Sequence, residues 1–207
     1  MPQQNTPEDA GSTSEATLPR LTKEQINSYP IMKYEGPIHL VRDADHAEMA
    51  AEMLAKETLL GFDTEARPTF RPGQKHRPAI LQLAGEDAVY VFQLHQCGLT
   101  APLRRLLADP EIIKAGVALD RDIKELTDLA PFEPAGFVDV AELAKQAGCA
   151  NQGLRGLASL LLGFRVSKGC QTSNWAQRKL TRTQIEYAAT DGWVGRELYL
   201  KLQEMLS

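Results

Sequence analysis

TLLGFDTE, residues 58–65, is the stretch that decides how this chain reads. An apolar run closing on two carboxylates at i and i+2 is what a strand delivers to the edge of a sheet. Alternation sends Asp63 and Glu65 to one face, just beyond Leu59, Leu60 and Phe62, which have the character of buried residues. Carboxylates held that close repel each other unless a cation neutralises them. The tripeptide alone is weak: with 11 Asp and 16 Glu in 207 residues, about one Asp-x-Glu arises by chance. A solvent-facing strand end is the plain alternative, so the rest of the chain has to decide.

Two more strand-like runs follow, AILQLAG (79–85) and AVYVFQL (88–94). Glu86-Asp87 between them is a tight turn, which predicts an antiparallel hairpin. Upstream, IHLVRD reads as a strand, and Asp43 or Asp45 can cap a helix running to about Lys56. Downstream the pattern alternates. A helix to about Leu107 precedes the strand-like IIKAGVAL (112–119) and a helix from about Arg121 to Leu129. A short strand, FVDV (137–140), leads into a helix over 141–147. GLRGLASLLLG (153–163) and a long segment from about Thr183 to Leu206 are helical. A meander followed by βα units predicts an α/β fold with a mixed central sheet flanked by helices. Leu60, Phe62, Leu81, Leu83, Val91, Leu157, Leu160 and Leu161 are core by their spacing.

Composition narrows the classes. The chain is 43% hydrophobic and 24% charged with a formal net charge of -4, which argues against a wholly electrostatic nucleic-acid binder. No run approaches the ~20 apolar residues of a membrane helix. The first residues lack a basic start and an apolar stretch, so no secretory signal is expected. Residues 1–20 read as a disordered tail. Cys97, Cys149 and Cys170 are odd in number and scattered, which fits reduced thiols in a cytoplasm. The Gly-rich pattern ending in Gly-Lys-Ser/Thr is absent, so no ATP-driven motor is expected.

Two further features carry chemistry. Tyr187 and Asp191, four residues apart on the last helix, project from one face; by itself such a pair is also a common surface pair. The junction Lys114-Ala115-Gly116-Val117-Ala118-Leu119-Asp120-Arg121-Asp122 puts carboxylates at a helix start facing the C-terminal edge of the sheet, where sites of α/β folds gather. One of those aspartates is expected to cap the helix. Asp120 sits where an N-cap belongs, and Asp122 lies inside with Leu126 at i+4 beside it.

In this order, GFDTE, KAGVALDRDIKEL and YAATDGWVGRELY resemble the three motifs of the DEDD superfamily of 3′–5′ exonucleases, in the branch whose third motif carries a tyrosine. Thr172-Ser173-Asn174-Trp175 is similar to the Ser-Asn-Trp block preceding that motif. The likeness covers about 36–206 and is greatest to Werner-type exonuclease domains, with ribonuclease D more distant. It implies a ribonuclease H-like fold over that span and a two-metal mechanism, with Asp63, Glu65, Asp122 and Asp191 as ligands of two Mg²⁺ or Mn²⁺ ions. Tyr187 would orient the attacking water. The chemistry suits those residues: two divalent ions stabilise charge at both attacking and leaving oxygens, and hard oxygen ligands hold them. His39, His46, His76 and His95 lie outside all three motifs.

The expected partner is nucleic acid with a free 3′ end, and the expected products are nucleoside 5′-monophosphates. Arg67, Phe70, Arg71, Lys75 and Arg77, in RPTFRPGQKHR (67–77) after the metal strand, are candidates to grip phosphates and stack on a base. A solvated hairpin connection would have the same composition. Arg165, Lys168, Arg178, Lys179 and Arg182 form a second basic zone. Trp175 is expected as a core anchor beneath the site. The Werner-like motifs tilt the reading towards DNA. A non-catalytic binding module of the same fold and an RNA-specific oligoribonuclease are the alternatives; the complete carboxylate set with its tyrosine favours catalysis.

Overall fold

In the computed structural model, which describes residues 18–68 and 76–207, the strand β2 (Leu59–Ala66) has four buried residues followed by four half-buried ones. It therefore leaves the core just where Asp63 and Glu65 occur. β2 pairs antiparallel with β3 (Pro78–Ala84), which pairs antiparallel with β4 (Val89–Gln93). The turn between the last two is closed by Gly85 N–H donating to the Ala88 carbonyl at 3.0 Å. On its other side β2 pairs parallel with β5 (Ile113–Gly116), and β5 with β6 (Phe137–Asp139). β1 (Ile38–Val41) adds in parallel to β4. The six strands lie in the order β1-β4-β3-β2-β5-β6. This is the mixed, helix-flanked sheet of a ribonuclease H-like fold.

Strand alternation assigns the two faces. Leu60, Phe62, Leu81 and Leu83 pack under α2 (Ala44–Leu54), α4 (Ala101–Ala108) and α5 (Asp120–Leu129). Leu59, Ile80 and Val91 face the long helix α8 (Arg182–Leu206). Asp63 and Glu65 share that second face. α8 can lie almost backbone to backbone on the sheet because the contact is made by glycines. A methyl group on Gly61 would come within 2.0 Å of the Gly192 carbonyl oxygen, and one on Gly195 within 2.8 Å of the Ala115 oxygen. Space for neither exists, so Asp191 is drawn down beside the end of β2.

Several elements differ from expectation. β5 stops at Gly116, short of the expected 119, because Ala118 takes φ 60° in a turn that ends the strand. Asp139 secures this turn: its Oδ1 accepts from Ala118 N at 3.1 Å while capping α6 (Val140–Gln146) at Ala141 N. Lys114 is fully buried on β5, and its ammonium donates to the Asp109 carbonyl at 2.6 Å beyond the end of α4. The helix expected over 153–163 is one α-turn, α7 (Leu154–Leu157), widening into a π-turn at Ala158–Leu162 and stopping at Gly163 with φ 76°. The wider turn leaves Leu160 and Leu161 only half-buried.

Residues upstream of 36 are also packed against the rest of the chain. Leu18, assigned to the tail by composition, donates its N–H to the Gly148 carbonyl at 2.8 Å. A short helix α1 (Lys23–Ser28) follows, opened by a capping box at Thr22. α3 (Leu94–Cys97) continues directly from β4. Among the described residues no helix is long and apolar enough to cross a membrane.

Candidate active site

The site assembles where β2 emerges under α8. Asp63, Glu65 and Asp191 each offer a carboxylate oxygen, and the three oxygens lie within 4.8 Å of one another. Asp191 is 5% exposed, and its Oδ1 is buried with no hydrogen-bond partner among the described residues. Tyr187, one helical turn before it, rests on Trp175, with ring centroids 5.9 Å apart and Trp175 wholly buried. The anchor role expected of Trp175 is therefore what its packing provides.

Asp122 enters from the opposite layer, at the start of α5. It stands outside the three-oxygen cluster and accepts a hydrogen bond from the Thr64 hydroxyl. Alternation turns Thr64 away from Asp63 and Glu65, so the middle residue of the tripeptide ties the second layer to the first. Sequence reasoning misses Thr64, although its place between two inward carboxylates already fixes its direction. The expected cap at Asp120 is corrected: Leu119 is the N-cap and makes no side-chain bond, while Asp120 is the first helical residue and exposed. The Ala118 turn starts the helix one residue early.

The electrostatics are those of carboxylates crowded together in a partly buried site. Burial first, then the charges of Asp191, Glu65 and Asp122, hold Asp63 well above the usual carboxylate range. Burial, then Asp191 and Asp122, pushes Glu65 up to about 8. Burial pushes Asp191 up to about 7, against the pull of the Tyr187 hydroxyl. Asp122 is raised by burial and drawn back by Thr64. Tyr187 is raised by burial and by Asp191, so it stays a protonated phenol. An all-oxygen, partly buried donor set with an unpartnered carboxylate oxygen fits hard divalent cations.

Folded pKa values above unfolded ones mean the native state holds extra protons between about pH 4 and pH 8, so without metal, stability falls as pH rises through that window. In chelator the Tm should decline from about pH 5 to about pH 8, and Mg²⁺ or Mn²⁺ should restore more of it at the higher pH. A larger metal effect at the lower pH would contradict this electrostatic account.

A cleft of about 510 Å³ opens over the carboxylates. Lys168 is the member of the second basic zone that lines it, and Arg20 and Lys23, which sequence reasoning misses, line it from the N-terminal side. Arg67 and Arg77 instead line a neighbouring hollow with His76 and His95. Phe70, Arg71 and Lys75 lie outside the described residues. Arg182 is engaged by Glu186 at 2.7 Å, and the Arg165 guanidinium by the Tyr29 carbonyl at 2.9 Å.

A ribonuclease H-like sheet carrying carboxylates at the end of its central strand defines a class, the metal-dependent nucleases. Within that class the chain belongs to the 3′–5′ exonuclease family, whose model matches residues 38–207. It is 30% identical over 186 residues to the mouse bifunctional 3′–5′ exonuclease/ATP-dependent helicase WRN, covering 85% of this chain and 13% of that protein. It is 33% identical over 171 residues to ribonuclease D of Gluconacetobacter diazotrophicus, covering 81% and 42%. The chain thus spans less than half the length of either relative. The crystal structure of the Aedes aegypti Nibbler EXO domain superposes with a TM-score of 0.76 at 25% identity, covering 86% of this chain and 93% of that one.

Proposed function

We propose that this protein is a metal-dependent 3′–5′ exonuclease that hydrolyses the terminal phosphodiester of a nucleic-acid strand with a free 3′ end and releases nucleoside 5′-monophosphates. The observation that carries the reading is the convergence of Asp63, Glu65 and Asp191 within 4.8 Å, beside Tyr187. Asp63, Glu65, Asp191 and Asp122 would hold the divalent ions. Two such ions, when bound, would supply charge stabilisation at the attacking and leaving oxygens. The chain's own part is positional. Tyr187, kept protonated and braced by Trp175, orients the attacking water by its hydroxyl. The Thr64 hydroxyl fixes Asp122, and the glycine contact of α8 with β2 fixes Asp191.

DNA is the substrate expected from the Werner-like motifs. RNA is the second reading, favoured by the 33% identity to a ribonuclease D. Matched DNA and RNA strands, incubated with Mg²⁺, with Mn²⁺ and with chelator, test both. Metal-dependent release of mononucleotides, faster from DNA, is the expected result. Faster release from RNA moves the assignment to the second reading, and release in chelator contradicts metal dependence.

A further inference from the structure

Residues 18–35 precede the segment matched by the family model, yet they are fastened along the cleft by a series of bonds. Leu18 N–H donates to the Gly148 carbonyl. Leu21 N–H donates to Asn151 Oδ1 at 2.9 Å, and Asn151 Nδ2 returns a bond to the Leu21 carbonyl at 3.3 Å. Asn27 Oδ1 accepts from the Arg155 guanidinium at 2.9 Å. Arg165 N–H donates to the Pro30 carbonyl at 2.9 Å, and Met32 N–H donates to the Arg165 carbonyl at 3.1 Å. The segment is a built wall of the cleft, held at both ends.

That wall presents Arg20 and Lys23, and Lys168 lines the same cleft from the loop after Val166. All three are exposed, and none has an acidic partner among the ion pairs of the described residues. Arg155, the fourth cation lining the cleft, is taken up by the Val166 carbonyl and Asn27 Oδ1, so three cations share the cleft with the acidic cluster and have no ion-pair partner among the described residues. A nucleic-acid strand supplies what they lack, a row of phosphates. With the 3′-terminal linkage at the carboxylates, the rest of the strand leaves on its 5′ side, so cations standing off the floor meet upstream phosphates.

We propose that residues 18–35 form a fixed wall of the substrate cleft and that Arg20 and Lys23, with Lys168, hold backbone phosphates upstream of the scissile bond of a single strand. The proposal rests on the exonuclease reading and deepens it. Phosphate contacts position a strand without reading its sequence, so the effect belongs in binding and in its salt dependence.

The test uses the full chain and the pair Arg20→Ala/Lys23→Ala. On a decanucleotide, KM should rise about tenfold with kcat held. The slope of log affinity against log salt should lessen by about 0.7 for each phosphate no longer neutralised by the protein. The defect should shrink on an unphosphorylated dinucleotide, which has no phosphate upstream of the bond cut. Arg20→Lys/Lys23→Arg should restore KM. Binding of a labelled decanucleotide to an Asp63→Asn background, with and without the pair, measures the wall apart from turnover. Weaker binding and a shallower salt slope there support the wall even if the parent hydrolyses nothing, an outcome that would sink the exonuclease reading alone. Unchanged binding and KM, or an equal fall in kcat on both substrates, overturns the proposal.

Discussion

Asp63→Asn will lower turnover by more than about a thousandfold, since even changes one shell out from a metal commonly cost 10–100-fold. Asp63 is the carboxylate with most at stake. It sits in the three-oxygen cluster, and the charges of Glu65, Asp191 and Asp122 all press on it. Removing its charge relieves that repulsion, so the same variant should melt higher than the parent in chelator at about pH 8 and gain less from added metal. Strand binding should survive, because Arg20, Lys23 and Lys168 are untouched. Tyr187→Phe is the milder companion. The carboxylates remain and only water orientation is lost, so a fall near the lower end of about 10²–10⁴-fold is expected. Steady-state kinetics with melting curves checks both. An Asp63→Asn protein with parental turnover would remove the metal assignment at its centre.

Asp122→Asn against Asp120→Asn is the second large contrast, because the two residues lie two positions apart and differ in everything around them. Asp122 is half-buried and accepts from Thr64, which lies on β2 between Asp63 and Glu65. Asp120 is exposed on the first turn of α5 and makes no capping bond. Asp122→Asn should therefore cost more than about a hundredfold in kcat, while Asp120→Asn should stay within about twofold and within about 0.5 kcal/mol of the parent's stability. Thr64→Val should fall between them, because Asp122 keeps its charge and loses its tether. Loss of activity in Asp120→Asn with parental activity in Asp122→Asn would place the second motif two residues off.

What the sequence discloses here follows from which interactions are local. Asp63 with Glu65, and Tyr187 with Asp191, are pairs whose common face is set by strand and helix periods, and those are legible. The meeting of the two pairs rests on Gly61 facing Gly192, a contact between residues far apart in the chain that no period reports. The π-turn at Ala158–Leu162 is hidden for a related reason: its apolar residues have helical spacing, and only packing reveals the wider turn. Asp120 reads as a cap because the positive φ at Ala118, a non-glycine, carries no sequence signal. The N-terminal wall reads partly as tail because much of its hold depends on Asn151, Arg155 and Arg165 bonding to its backbone and Asn27, with only Leu18 and Tyr34 packed against the core clusters. Polar composition does not distinguish a strap from a free end.

The most direct test of the exonuclease assignment is digestion of a single strand labelled at its 5′ end, run beside a covalently closed circular strand of the same composition, with Mg²⁺ and with Mn²⁺. A ladder shortening stepwise from the 3′ end, absent in chelator and slowed by a 3′-phosphate, with the circle left intact, is the predicted result. Cleavage of the circle, or release of the 5′ label as the first product, would contradict it.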